Sequence, residues 1–135
     1  MKKNIIKELK KLNKIALKHN DVPVSCIIVK NNKIIAKAYN KKKYLKNPIA
    51  HAEILAILKA AKKTKSWNLN DCELYVTLEP CNMCKTVINE ARIKKVFYIL
   101  KKTKKINDTV LYQQINVADN KYFNDEIKQF FANKR

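Results

Sequence analysis

The chain has 135 residues, 47% of them hydrophobic, with 30 basic against 11 acidic side chains and a formal net charge of +19. That length and apolar content exclude an intrinsically disordered chain and fit a single domain over residues 1–135, while no apolar run approaches the ~20 residues that span a bilayer. The charge favours an acidic polymer as partner, but the absence of glycine beside abundant Lys, Asn and Ile also fits A/T-rich coding, and composition alone leaves both explanations open.

At the start of the chain, Ile5, Ile6, Leu9, Leu12 and Ala16 recur at helical spacing, which predicts an amphipathic first helix rather than a signal peptide. The protein is therefore expected to start here and to stay in the cytoplasm. His19 follows among Lys18 and Asn20 and reads as solvated surface. "VPVSCIIVK" (22–30) is a continuous β-branched run and predicts a buried strand. Asn31 and Asn32 supply a hairpin turn, and "KIIAKAYN" (33–40) is the partner strand. A basic loop leads to Pro48, from which a second helix is expected over residues 49 to about 61–65. "ELYVTL" (73–78) predicts a third strand, "EPCNMCKTVINEA" a third helix and "KKVFYIL" a fourth strand. A second basic loop, "KKTKKIND", follows, and a closing helix is expected over residues 122–135. The order predicts an α/β fold in three layers, α/β/α, with a mixed sheet of four to five strands and helices on both faces. The crossover between the third and fourth strands should be parallel.

Four cysteines without an export signal point to metal or redox chemistry rather than disulfides. Cys26 and Cys72 lie in or beside apolar strands and read as small packed residues. Cys81 and Cys84 are spaced C-x-x-C at a helix start, where thiolates are favoured. A redox pair would explain neither His51 nor Glu53 in "IAHAEILAILKAA". Taken together, His51, Cys81 and Cys84 offer three zinc ligands and leave a fourth position for water, the pattern of a catalytic zinc. Such a zinc brings hydroxide within reach near neutral pH, and Glu53 is placed to move its proton. Side chains two apart on a regular helix diverge. His51 and Glu53 therefore converge only if the site caps the start of this helix.

"HAE" with "PCNMC" resembles the signature of the zinc-dependent nucleobase deaminases. The likeness is closest to the bacterial tRNA-specific adenosine deaminases, through "VPV" (22–24), Asn40, "LYVTLEPCNMC" (74–84), Arg92 with Ile93, and "FFANKR" (130–135). The resemblance implies a cytidine-deaminase-like fold and hydrolytic conversion of adenosine to inosine at the wobble position of a tRNA anticodon. It further implies one Zn2+ on His51, Cys81 and Cys84, a proton shuttle at Glu53, and a base held by Asn40 with Val24 and Ala52. A homodimer is implied as well, as are anticodon stem-loop contacts at the pocket rim and closing helix. Lys41, Lys42, Lys43, Lys101, Lys102, Lys104, Phe131 and Arg135 are the candidates for those contacts.

Several positions depart from the family pattern. Ser25, Lys85 with Thr86, and the loop "LKKTKKIND" stand where relatives usually carry glycine. Lys102 stands where they often carry an acid, and "YQQINVADNK" leaves little room for a fifth strand, which is expected to be truncated or lost. Two rivals share the zinc residues: a deaminase of free guanine or cytosine, and a non-catalytic tRNA-binding subunit with a structural zinc. The basic loops argue against the first, and the retention of Glu53 argues against the second.

Overall fold

The computed structural model describes residues 2–101 and 110–133. Within them the chain runs α1 (Lys2–Lys18), β1 (Ser25–Lys30), β2 (Lys33–Tyr39), α2 (Ala52–Thr64), β3 (Cys72–Leu78), α3 (Asn82–Glu90), β4 (Lys95–Leu100), β5 (Leu111–Gln114) and α4 (Asn120–Ala132). The sheet is ordered β2-β1-β3-β4-β5. β1 is antiparallel to both β2 and β3, whereas β3, β4 and β5 are parallel, so the sheet is mixed as expected. The fifth strand is retained at four residues, from Leu111 opposite Lys95 to Gln114 opposite Tyr98.

Side-chain alternation along the strands divides the core in two. Cys26 and Ile28 of β1 and Leu74 and Val76 of β3 join Ala52, Ala56 and Ala60 of α2 and Ile88 of α3. Ile27, Val29 and Tyr75 point the other way and join Ile5, Ile6, Leu9 and Leu12 of α1 with Phe123 of α4. Each fully buried Leu, Ile or Phe contributes roughly 1.5–3 kcal/mol, so both faces hold the sheet.

Without glycine, the left-handed backbone positions fall to other residues. Asn31 and Asn32 have φ of 51° and 61°, as a type I′ hairpin turn requires, and Asn20 has φ 60° beyond α1. Asparagine tolerates this region. Lys46, Lys65 and Arg92 also occupy it, at about 1–2 kcal/mol each. Lys65 ends α2 there, its N–H bonded to the Ala61 carbonyl.

Several expected boundaries shift. β1 begins at Ser25 rather than Val22, and α3 at Asn82, three residues into the run that starts at Glu79. α2 begins at Ala52, not beside Pro48, because residues 47–50 form a turn in which Ala50 N–H bonds the Asn47 carbonyl. The closing helix starts at Asn120, two residues early, where Asn120 Oδ1 accepts the Val117 N–H. Among the described residues no helix is long and apolar enough to cross a membrane.

Candidate metal centre and active-site cavity

Two helices start at the same place. His51 is the N-cap of α2 (φ −75°, ψ 151°) and Cys81 the N-cap of α3 (φ −72°, ψ 171°). Serine, threonine, asparagine or aspartate usually takes that position and bonds the helix N–H groups. Here neither side chain caps its own helix, which leaves imidazole and thiol for another task. The extended backbone at His51 also removes the objection to the i, i+2 spacing. His51 lies outside the helix, while Glu53 sits in its first turn, 4% exposed.

His51 Nδ1 lies 3.8 Å from Cys81 Sγ and 3.5 Å from Cys84 Sγ, and the three donor atoms lie within 4.8 Å of one another. A tetrahedral zinc with ordinary Zn–N and Zn–S lengths places such an N and S roughly 3.6 Å apart. The donor set therefore fits one zinc ion in chemistry and in spacing. Electrostatics agree. Burial pushes the Cys84 thiol well above its ordinary value, and the adjacent Glu53 carboxylate and Cys81 push it further. Three groups that would each carry negative charge are crowded at two positive helix ends, and a divalent cation resolves that crowding.

Beside the ligands is a cavity of about 240 Å³. Glu53, Asn40, Val24, Leu78 and Glu79 contribute to its walls, and Lys42 and Phe131 to its rim. Larger hollows exist, such as one of about 480 Å³ between α1 and the Val117 turn, but it is lined by Lys3, Lys7 and Lys10, and among the described residues the clustered metal ligands lie elsewhere. Chemistry rather than size marks the site.

Asn40 is buried at the end of β2. Its own N–H bonds the Val24 carbonyl, and its Oδ1 accepts the Ala52 N–H at 2.9 Å. Asn40 thus supplies the N-terminal hydrogen bond of α2 from 12 residues away, and its amide NH₂ remains as donor for the cavity. Ala52 does not line that cavity: its side chain is packed in the core, and its N–H is taken by Asn40.

The remaining sequence candidates separate. Lys42 and Phe131, the latter 54% exposed, stand at the cavity. Lys43 and Lys101 are on the surface, and the Lys41 ammonium lies 4.9 Å from the centre of the Tyr39 ring. Lys102, Lys104 and Arg135 lie outside the described residues. Cys26 and Cys72 are packed in the first core and are not in the metal group. His19, expected in solvent, is instead half-buried against Tyr44 and Tyr39, because the loop after β2 folds back over the end of α1.

Sequence reasoning missed Glu79 and Lys85. Glu79 is buried in the cavity wall, and its carboxylate lies 3.6 Å from Lys85 Nζ, which in turn sits 5.0 Å from the Tyr112 ring centre. An acid between an apolar strand and Pro80 was the available signal. Lys85 reads as surface in a lysine-rich chain, and nothing local marks it as buried.

Residues 1–100 match the cytidine and deoxycytidylate deaminase zinc-binding region. The chain is 45% identical over 95 residues to the tRNA-specific adenosine deaminase of Rickettsia bellii, covering 69% of this chain and 66% of that protein. It is 49% identical over 85 residues to the tRNA-specific adenosine deaminase of Aquifex aeolicus, covering 63% and 56%. The matched region thus spans somewhat less than two thirds of these relatives. A solved structure from studies of A-to-I editing by tRNA:A34 deaminases at the wobble position of transfer RNA superposes with a TM-score of 0.72 at 31% identity, covering 75% of this chain and 78% of that one. The X-ray structure of a guanine deaminase from Bacillus subtilis gives 0.65 at 28% identity, covering 95% and 92%.

Proposed function

The chain belongs to the cytidine and deoxycytidylate deaminase zinc-binding family, and from that premise we propose that it hydrolyses adenosine to inosine at the wobble position of a tRNA anticodon. The observation that carries this reading is the convergence of a buried carboxylate, Glu53, and a fixed amide, Asn40, on one cavity beside the His51–Cys81–Cys84 donor set. The tRNA-specific names of relatives at 45% and 49% identity support the substrate.

His51 Nδ1 and the thiolates of Cys81 and Cys84 would hold the zinc. When bound, it supplies a Lewis acid that makes water a nucleophile near neutral pH. Glu53 would take a proton from the attacking water and pass it to a ring nitrogen of the purine. It then moves the second proton to the departing amino group, so that water and adenosine become inosine and ammonia. Glu53 suits the task because it is walled off from bulk water in the first turn of α2. Asn40 cannot rotate without breaking its bond to Ala52, so its NH₂ meets an acceptor on the base in a fixed direction. Val24 and Leu78 give the ring apolar walls.

The same proposal assigns Lys41, Lys42, Lys43, Lys101 and Phe131 to the anticodon stem-loop, whose loop nucleotides are already unstacked. A homodimer and a cytoplasmic location belong to it too, and sedimentation of the purified chain tests the former. Deamination of free guanine is the second reading, favoured by the guanine deaminase likeness that covers 95% of the chain.

The test is to incubate the protein with an anticodon stem-loop carrying a wobble adenosine and, in parallel, with free adenosine, guanine and cytosine. Products are read by mass spectrometry. Inosine on the stem-loop and negligible turnover of the free bases is the expected result. Rapid loss of guanine with no inosine on RNA would replace this reading with the second.

A further inference from the structure

Residues 41–47, between β2 and α2, fold into a compact turn in which Leu45 N–H bonds the Lys41 carbonyl at 2.8 Å and Asn47 N–H bonds the Lys42 carbonyl at 2.9 Å. Asp21, just past the end of α1 and only 3% exposed, fastens this turn to the body of the protein. Its Oδ1 accepts the Lys43 N–H at 3.1 Å, and its Oδ2 accepts the Tyr44 N–H at 3.2 Å. Because both carboxylate oxygens engage backbone, the acid anchors the turn at Lys43 and Tyr44, while the Lys42 and Lys43 side chains stay exposed.

The tether also sets the ring of Tyr44. It rests on the His19 imidazole with centroids 4.3 Å apart and a 45° tilt, and His19 lies nearly parallel to Tyr39 at 6.2 Å. Tyr44 nevertheless stays 57% exposed. A singly exposed aromatic needs no explanation. One that is seated on a second ring, tied at its own backbone and flanked by lysines has the features of a stacking platform for single-stranded nucleic acid. Its position fits as well. A hollow of about 370 Å³, lined by Asn20, Asp21, Val22, Lys42, Lys43 and Phe130, shares Val22 and Lys42 with the active-site cavity, so the surface continues from the reacting base towards this loop.

We infer that Tyr44 is a stacking platform for an RNA base neighbouring the one that enters the cavity, with Lys42 and Lys43 on the phosphates between them and Asp21 as the positioning residue. The inference rests on the proposed RNA substrate. Stacking on an aromatic side chain tolerates any base, so the platform adds affinity without adding sequence preference.

The experiment measures inosine formation on the stem-loop by the full chain and by its Tyr44→Phe, Tyr44→Trp and Tyr44→Leu variants, with melting temperatures alongside. Phe and Trp should leave KM within about twofold. Leu should raise it by about fivefold or more while kcat and melting temperature hold. Asp21→Asn should raise KM in the same direction, and combining it with Tyr44→Leu should add little, because both act through one platform. Unchanged KM in Tyr44→Leu, with the unaltered chain still editing, overturns the platform and leaves the proposed function standing. The same holds if that variant alters only self-association in sedimentation. Additive losses in the double variant overturn the role of Asp21. If the unaltered chain forms no inosine on the stem-loop, the substrate reading fails and the platform goes with it.

Discussion

On one face of the sheet α2 packs through Ala52, Ala56 and Ala60 in a cluster with Ala36 and Ala38 of β2; on the other, α1 packs through Ile5, Leu9 and Leu12 with Ile27, Val29 and Tyr75. Helix packing distance follows side-chain size, and alanine is the smallest residue in a chain without glycine. The alanine face therefore brings α2 close to the strands, and the start of α2 carries His51 and Glu53. The large-residue face builds core, and α1 and α4 present none of the clustered metal ligands. Stability can be lost on either face, but catalytic geometry is sensitive chiefly on the first.

Substitutions can test this contrast. The largest effect is expected from Cys84→Ala, which should leave a folded chain that no longer retains zinc on dialysis and no longer deaminates. Cys72→Ala, a buried thiol in the same core but outside the metal group, should keep both. Next, Leu9→Ala should cost about 2–5 kcal/mol in urea unfolding yet leave zinc content and kcat near normal in the folded fraction. Ala56→Leu should cost less, about 1–3 kcal/mol, but lower kcat by up to about 100-fold, since it pushes the start of α2 away from α3. If Leu9→Ala proved the more damaging to kcat, the distinction between the faces would be lost.

The smallest effect concerns α4. Glu126 accepts a 2.8 Å hydrogen bond from Asn13 Nδ2, and burial raises its pKa above the ordinary carboxylate value, more than Asn13, Lys14 and Tyr122 lower it. An acid with a raised folded pKa loses stability as pH climbs through that raised value, because ionisation is easier in the unfolded chain. Among the described residues Asn13 Oδ1 is buried without a hydrogen-bond partner, and a glutamine amide could donate to it. Glu126→Gln should thus stabilise the protein by less than ~1 kcal/mol at pH 7, with the gain fading below pH 4, as melting curves across pH would reveal.

Much of this architecture was legible locally. The continuous apolar run of β1 buries both its faces, the paired asparagines make the hairpin, and C-x-x-C opens α3, because each depends on residues near in sequence. What escaped depends on distant partners. α2 starts at Ala52 because the 47–50 turn precedes it and Asn40, 12 residues upstream, bonds its first N–H, and only the turn is local in sequence. Lys85 is buried because Glu79 and Tyr112 meet it there. The short β5 survives because β4 offers it a parallel edge, not because Leu111–Gln114 has a strong pattern of its own. His51 and Glu53 were recognisable as a pair, but the reason they converge is the extended backbone of His51.

Glu53 is the residue on which the proposed chemistry depends most directly. Glutamine at that position keeps the size of the side chain and removes its capacity to take a proton. The Glu53→Gln chain should bind about one zinc by metal analysis while inosine formation on the stem-loop falls by at least about 100-fold. Deamination at the unaltered rate with zinc in place would contradict the assignment of the proton shuttle.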